Sequence, residues 1–489
     1  MYFGHRFKLP VESPLPLRDQ VCEIISEAAA RNAIVHGQPL PSCRELSTQL
    51  GVSRNTVFSA YDRLVEIGLL ISKDRSGYFL NPDSVTMAPR TGPDAGAAAL
   101  AIENRLPAQG ARASDLRKVE HPDDWNRFPY PFIYNQIDPR IFPIQGWREC
   151  MRLALNRQRL SVWTGDSDGA DSLNLIKQLQ RRLLSYRGIQ AATDEILITA
   201  GAQNALFILG LLFAGKCGSV AMEDPGYPEA RSALTLTGNQ IVGVAVDDQG
   251  LMVDAIPDEC GMVYTTPSHQ FPTTATMSLK RRQQVLNIAR DRQMVIIEDD
   301  YEAEMNYHRD TLPPIKAIDD SGSVVYVGSL SKTLSPGLRL GFMVAHPTII
   351  KEAKAIRRAM MRHPPTLMQD AMANFMALGH HDAHLRRLHR RYKARWGAMR
   401  ESISQHLPDL AMGQSNGGTC FWVDGPSNLD TNKLEENLRA RGVLFDKGSV
   451  FYIDPERGRG KFRLGFASMP LKSLDPGIRI IAEEIDKLL

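Results

Sequence analysis

At 489 residues, 43% of them apolar, the chain is too long for one ordinary domain and apolar enough to bury at least one large core, so two or three domains are expected. It has no apolar run of about twenty residues, and its opening MYFGHRFKLP has no apolar stretch behind a basic start, which argues against a membrane span or an export signal and for a cytoplasmic protein. A formal charge of +3 says almost nothing about nucleic acid, and six scattered cysteines without a CxxC pair read as reduced thiols rather than a disulfide framework or a metal site.

Residues 14–80 read as a helical unit that ends in a hairpin. In PSCRELSTQLGVSRNTVFSAYDRLVEIGLL one helix is predicted from about Cys43 to Leu50, followed by a permissive turn at Gly51. Ser53 then caps a second helix, whose Val57, Tyr61 and Leu64 recur at helical spacing. This helix-turn-helix presents the start of its second helix to base edges of double-stranded DNA. Ser53, Arg54, Asn55 and Thr56 are the candidate contacts, and Arg44 on the preceding helix suits a phosphate or a base. LLISKDRSGYFL reads as a wing of two short strands around Arg75, Ser76 and Gly77. Charge does not decide the matter: nine Lys/Arg stand against eight Asp/Glu between Met1 and Leu80. A bare helix–Gly–helix pattern could equally be a solvated hairpin. What favours DNA is the ordered set LPSCREL, LGVSRNTV, Tyr61, Leu64, Gly68 and GYF, which resembles the GntR type of winged helix.

Residues 81–127 read as a linker, because PDSVTMAPRTGPDAGAAAL is rich in Pro, Gly and Ala without apolar periodicity. A flexible linker of about 35 residues reaches roughly 30–35 Å, enough to place the first domain over another subunit. From about Phe128 the short apolar runs EILIT, SVAME, GMVYTT, QMVIIEDD and SVVYVGS alternate with helical stretches such as LNLIKQLQRRLLSY. That pattern predicts an α/β domain over 128–489: a mainly parallel sheet covered by helices on both faces, with a small C-terminal α+β subdomain from about residue 380.

The chemistry concentrates after two of these strands. SVVYVGSLSKTLSPGLRLGF places Ser329, Ser331 and Lys332 beyond a β-branched strand, with Arg339 following. A lysine at the mouth of a buried strand can lose its charge and condense with an aldehyde, which is how pyridoxal 5'-phosphate (PLP) is held. Ser329 and Arg339 would meet the phosphate. QMVIIEDDYEAE ends its strand in Asp299, suited to a protonated pyridine nitrogen, and Tyr301 would bond the ring's phenolic oxygen. The competing reading of Glu298, Asp299 and Asp300 is an acidic surface run, but a strand delivering them to its carboxyl end favours a crevice. In ILITAGAQNAL the amides of Ala202 and Gln203 start a helix and could cradle the phosphate, and Tyr227 in MEDPGYPEA could stack on the ring.

With LGVSRNTV, ITAGAQNAL, EDPGY, TPSHQFPT, IIEDDY, SLSKTLSPGLRLG and FRLGF in place, the chain resembles the MocR-like regulators over nearly its whole length. These join a GntR-type winged helix to a fold-type I aminotransferase-like domain. The resemblance implies that Lys332 carries the aldimine, that Arg463 in FRLGF grips the carboxylate of an amino acid, and that the protein is a homodimer. In such dimers the winged helix of one subunit often lies against the other's large domain. It also implies a regulator that senses an amino compound by forming an external aldimine and then alters operator binding. The alternative is an active aminotransferase with an accessory DNA-binding domain; a dead fold is disfavoured by the intact Lys332, Asp299, Tyr301 and Arg339. The effector stays open among amino acids, sulfonates such as taurine, amines and diamino acids.

Two departures stand out: Thr273-Thr274 replaces the family's usual Thr-Gly, and WTGDSDG at residues 163–169 replaces a Tyr-Gly-Asp-Pro run. His269 is read as packed or solvated, residues 384–396 (HLRRLHRRYKARW) as a helix with one solvated face, Cys420 as core, and Met360 and Met361 as helix packing.

Overall fold

The computed structural model describes residues 7–9, 13, 15–31, 33–35, 37–74, 76–83, 113–133, 137–165, 169–307, 311–413 and 416–489. The chain divides into two units, residues 1–112 and 113–489.

In the first unit, helices α1 (Leu17–Ala30), α2 (Cys43–Leu50) and α3 (Arg54–Glu66) precede strands β1 (Leu70–Lys73) and β2 (Gly77–Leu80). Local chemistry sets the boundaries of α2. Ser42 and Glu45 form a reciprocal capping box, and Gly51 ends the helix at φ +67°, a conformation that favours glycine. Ser53 accepts from the Thr56 amide at 3.1 Å and starts α3. Val57, Ala60, Tyr61 and Leu64 form the buried stripe of α3, packed with Val21, Ile25 and Leu46. The Tyr61 hydroxyl, which this burial would orphan, donates to the Pro41 carbonyl at 2.7 Å. β1 and β2 pair antiparallel, Leu70 opposite Leu80 and Lys73 opposite Gly77, which is the expected wing. Its tip residue Arg75 lies outside the described residues.

The second unit holds two sheets. Strands β4 (Ile196–Thr199), β5 (Ser219–Asp224), β6 (Gln240–Asp247), β7 (Gly250–Leu251), β8 (Cys260–Thr265), β9 (Val295–Asp300), β10 (Val324–Ser329) and β11 (Gly341–Val344) form the larger, in the order β4-β11-β10-β9-β8-β5-β6-β7. The pairs from β10 through β6 are parallel, and β11 and β7 run antiparallel to their neighbours. All five apolar runs read from the sequence are strands of this sheet. Their near-continuous burial fits a sheet covered on both faces. LNLIKQLQRRLLSY is helical over Leu173–Gln178 and continues as a π turn over Leu179–Leu184.

The smaller sheet has the order β12 (Ala411–Met412), β13 (Cys420–Asp424), β15 (Lys461–Gly465), β14 (Val443–Lys447), β3 (Tyr130–Phe132). It differs from the expected small subdomain in one respect. Its edge strand β3 pairs in parallel with β14 although more than 300 residues separate them, so this subdomain recruits chain from before the larger sheet as well as after residue 380. Residues 113–127, read from the sequence as the end of a linker, carry contacts to this unit: Arg117 donates to the Ser449 carbonyl at 3.3 Å and His121 bonds Asp446 at 2.9 Å. Linker residues 84–112 lie outside the described residues, as do 166–168 of WTGDSDG.

Met360 and Met361 do not pack as expected: they are exposed, because the buried side of the helix Pro347–Met361, Ile350, Ala353 and Arg357, ends one turn earlier. Cys420 is buried core. In the helix His380–His406, Leu388, Tyr392 and Trp396 face inward and Arg386, Arg387, Arg391 and Lys393 are exposed, the arrangement expected of a helix with one solvated face.

Candidate functional site

Parallel pairing brings the carboxyl ends of β9 and β10 together, with Val327 opposite Asp299 and Gly328 opposite Asp300. Lys332 follows β10 by three residues and Tyr301 follows β9 directly, so adjacent strands deliver both to one crevice. The Lys332 ammonium lies 5.9 Å from the centre of the Tyr301 ring. Burial pulls the Lys332 pKa down to about 8; Glu302, Asp299 and Glu229 oppose the shift and Arg463 adds to it.

Asp299 is buried too. Its Oδ2 accepts from the Tyr264 hydroxyl at 2.9 Å, and burial lifts its pKa to about 7 against that hydrogen bond and the nearby Lys332. Its Oδ1 is buried and has no partner within the protein. Such an oxygen costs on the order of 1–3 kcal/mol unless something bonds it. It borders a cavity of about 30 Å³ shared by Ala202, Tyr227, Tyr301, Ser329 and Lys332. A second cavity, about 400 Å³, is lined by Gly201, Ala202, Gln203, Tyr227, Ser329, Lys332 and Arg339, among others.

The rim of this larger cavity is built for an anion. Gly201 sits at φ +85° just before the helix Ala202–Phe213, and a Cβ there would come within 3.2 Å of the Arg339 guanidinium. Arg339 itself adopts φ +49°, a strained conformation for a side chain of this size. A helix start, with its unpaired amides, and a guanidinium thus face one space. An orphaned carboxylate oxygen for a ring nitrogen, a buried lysine and an anion cradle match the donor set that pyridoxal phosphate requires, so the residues present fit that group.

Lys332, Asp299, Tyr301, Tyr227, Ser329, Arg339, Ala202 and Gln203 therefore converge on one site. Arg463 borders it through a small cavity shared with Lys332, but it already has a carboxylate partner: Nη1 pairs with the buried Asp446 at 2.9 Å. Asp446 in turn bonds His121 at 2.9 Å. The sequence contained a hint of this, since β14 and β15 each place a charged residue among apolar ones inside the strand, Asp446 and Arg463, and the antiparallel register sets them opposite each other. Sequence reasoning also missed Tyr264 and Glu302. His269 is buried, with its pKa lowered to about 4 mainly by burial, and lines none of the three cavities at Lys332. Thr274 sits at φ +64°, in the left-handed region that favours glycine, so the Thr-Thr departure puts a β-branched residue in a strained conformation. Among the described residues no group of three or more His, Cys, Asp or Glu is placed to hold a metal ion.

In the first unit Arg44, Ser53, Arg54 and Asn55 are exposed and Thr56 is half-buried. The Ser53 and Thr56 hydroxyls bond each other at 2.8 Å, which leaves Arg54 and Asn55 as the uncommitted side chains at the start of α3.

The lowered Lys332 pKa makes a kinetic prediction. Only the neutral amine attacks an aldehyde, so capture of added PLP by apoprotein should quicken about tenfold per pH unit below pH 8 and level off above it. Stopped-flow absorbance measures this. A rate still climbing at pH 10 would mean a solvated lysine.

Residues 162–481 match the aminotransferase class I and II family, and residues 17–80 match the bacterial regulatory proteins of the gntR family. Over 484 residues the chain is 37% identical to the HTH-type transcriptional regulator TauR of Rhodobacter capsulatus, with 96% of each chain covered. It is 29% identical to a protein of Rhizobium meliloti named as the probable rhizopine catabolism regulatory protein MocR, over 96% of this chain and 93% of that one. Among solved structures, the kynurenine aminotransferase of Pyrococcus horikoshii superposes with a TM-score of 0.71 at 25% identity, covering 80% of this chain and 99% of that one.

Proposed function

This chain belongs to the MocR-like regulators, a GntR-type helix-turn-helix joined to an aminotransferase class I and II domain, and from that premise we propose that it is a DNA-binding transcription regulator whose operator affinity responds to an amino compound received at Lys332. The observation that carries the reading is the pairing, on one chain, of a helix start with uncommitted Arg54 and Asn55 and a pocket with a buried, readily deprotonated lysine.

Bound PLP supplies an aldehyde that condenses reversibly with primary amines and a ring that withdraws electrons. The protein's residues would do the rest. Asp299 would keep a proton on the ring nitrogen, Tyr301 would bond the phenolic oxygen, and Tyr227 would cover one ring face. Ser329, Arg339 and the amides of Ala202 and Gln203 would hold the phosphate. Lys332 would hold the aldehyde and yield it to a ligand amine, and Arg463 would face an anionic end of the ligand. Any resulting change in domain arrangement is limited to the difference in ligand affinity between the two arrangements. A homodimer would present two recognition helices to two half-sites of double-stranded DNA, in the cytoplasm. No helix among the described residues is long and apolar enough to cross a membrane.

The test uses the loaded, full-length protein on an operator it selects from a random-sequence pool, with mobility shifts measured with and without each amino compound. Arg54→Ala should lower specific affinity by about 1–3 kcal/mol at matched salt and change non-specific binding less. Unchanged operator affinity would remove α3 as the recognition helix. Compounds that perturb the cofactor absorbance but never operator binding would break the proposed coupling, and sustained conversion of amino donor to keto acid would make the protein an enzyme.

A further inference from the structure

The first two turns of α3 carry one side chain that the fold of the first unit does not use. Phe58 is 54% exposed. The buried stripe of α3, Val57, Ala60, Tyr61 and Leu64, closes the core without it, and its ring takes no part in that cluster. Among the described residues only Phe58 and Tyr186 are exposed aromatic side chains, so leaving a ring in water is an exception in this chain.

Single exposed apolar residues are ordinary on protein surfaces, and position decides whether one has a use. At about 3.6 residues per turn, Phe58 falls between Arg54 and Asn55 around the helix axis, four and three residues further on. Ser59 is exposed beside it. Further along the same side Asp62 and Glu66 are exposed as well, and their carboxylates would repel the phosphates of a duplex. The part of α3 suited to a groove is therefore its first two turns, and Phe58 is the exposed apolar group within them.

A phenyl ring in the major groove replaces none of the hydrogen bonds that base edges make with water. Against the donors and acceptors of adenine, guanine or cytosine it removes water without compensation. Thymine alone presents an apolar group there, its C5 methyl. We propose that Phe58 is a specificity-determining residue that packs on a thymine methyl in the major groove of the operator. The proposal rests on the reading that α3 is the recognition helix. Three residues of helix rise about 4.5 Å and base pairs stack about 3.4 Å apart, so the thymine lies within about two base pairs of the one that Asn55 meets.

The test uses the PLP-loaded, full-length protein and the operator it selects from a random-sequence pool. Each thymine is replaced in turn by deoxyuridine, which removes the C5 methyl and keeps the base pair, and affinity is measured by mobility shift at fixed salt. Uracil at one or two positions of a half-site should weaken wild-type binding about fourfold, the value of one buried methyl. Phe58→Ala should weaken binding to the thymine operator by about that factor or more, and uracil at those positions should then cost it nothing further. Phe58→Leu, still apolar, should keep part of the uracil effect. Because the ring is exposed, none of these variants should lower Tm appreciably. A uracil scan that is flat in wild type overturns the contact and leaves the recognition helix standing. So does a uracil loss of equal size in wild type and Phe58→Ala. Operator binding unchanged in Phe58→Ala overturns it too, and an altered sedimentation coefficient would then make the ring a contact between protein chains. If Arg54→Ala also leaves operator affinity unchanged, α3 is not the recognition helix and the reading on which the proposal rests falls with it.

Discussion

Lys332→Ala is expected to give a colourless protein that borohydride cannot label, whereas wild type treated with PLP and borohydride should carry one reduced cofactor on Lys332. The effect is all-or-none because the covalent bond needs an amine at this place in the fold. Lys332 is buried at the end of β10, beside the orphaned Asp299 oxygen and across from the Arg339 cradle, and no other lysine lines either cavity. Peptide mapping after reduction locates the label. Label on any other lysine would remove Lys332 from the role, whatever the colour of the variant. Lys332→Arg is the sharper control, since it keeps a charge and similar bulk but cannot form the bond.

Arg463→Ala is expected to destabilise the second unit by about 3–5 kcal/mol, the cost of leaving a buried carboxylate without its cation. Both partners of the ion pair are almost wholly excluded from solvent, with side-chain exposures of 3% for Arg463 and 1% for Asp446. Asp446 keeps His121 as a second partner, but burial, with Arg463 nearby, holds the His121 pKa below its ordinary value. Without Arg463 that histidine gains charge more readily as pH falls, so the loss should be smaller in mildly acidic buffer than at pH 8. Calorimetry resolves the transition of this unit from that of the winged helix, which denaturant curves for a two-unit chain would blend. Removing both charges with Arg463→Leu and Asp446→Leu should recover much of the stability. A single variant costing less than about 1 kcal/mol would mean that the pair is effectively solvated. Arg463→Lys separates stability from recognition: the charge on Asp446 remains balanced while the planar fork is lost, so responses to amino acids should weaken more than Tm falls.

What could be read from the sequence was whatever depends on near neighbours. The capping Ser53, the turn at Gly51 and the 3.6-residue spacing of Val57, Tyr61 and Leu64 act within one or two helical turns, so the winged helix was legible almost to the residue. The β-branched runs announced a buried parallel sheet, and the short stretches closing β9 and β10 announced Asp299, Tyr301, Ser329 and Lys332, because a strand delivers its last residues to the sheet edge.

Only the tertiary structure could decide which distant residues share a space. It set β3 beside β14 across more than 300 residues, brought Glu229 and Glu302 to cavities that Lys332 also lines, and gave Arg463 the carboxylate of Asp446 before any ligand arrives. The reason is physical. Hydrogen-bonded caps and helical periodicity are local energies that short sequence patterns encode directly, whereas the charge and pKa of a buried site are sums over every ionisable group within a few ångströms, and chain order does not reveal which groups those are.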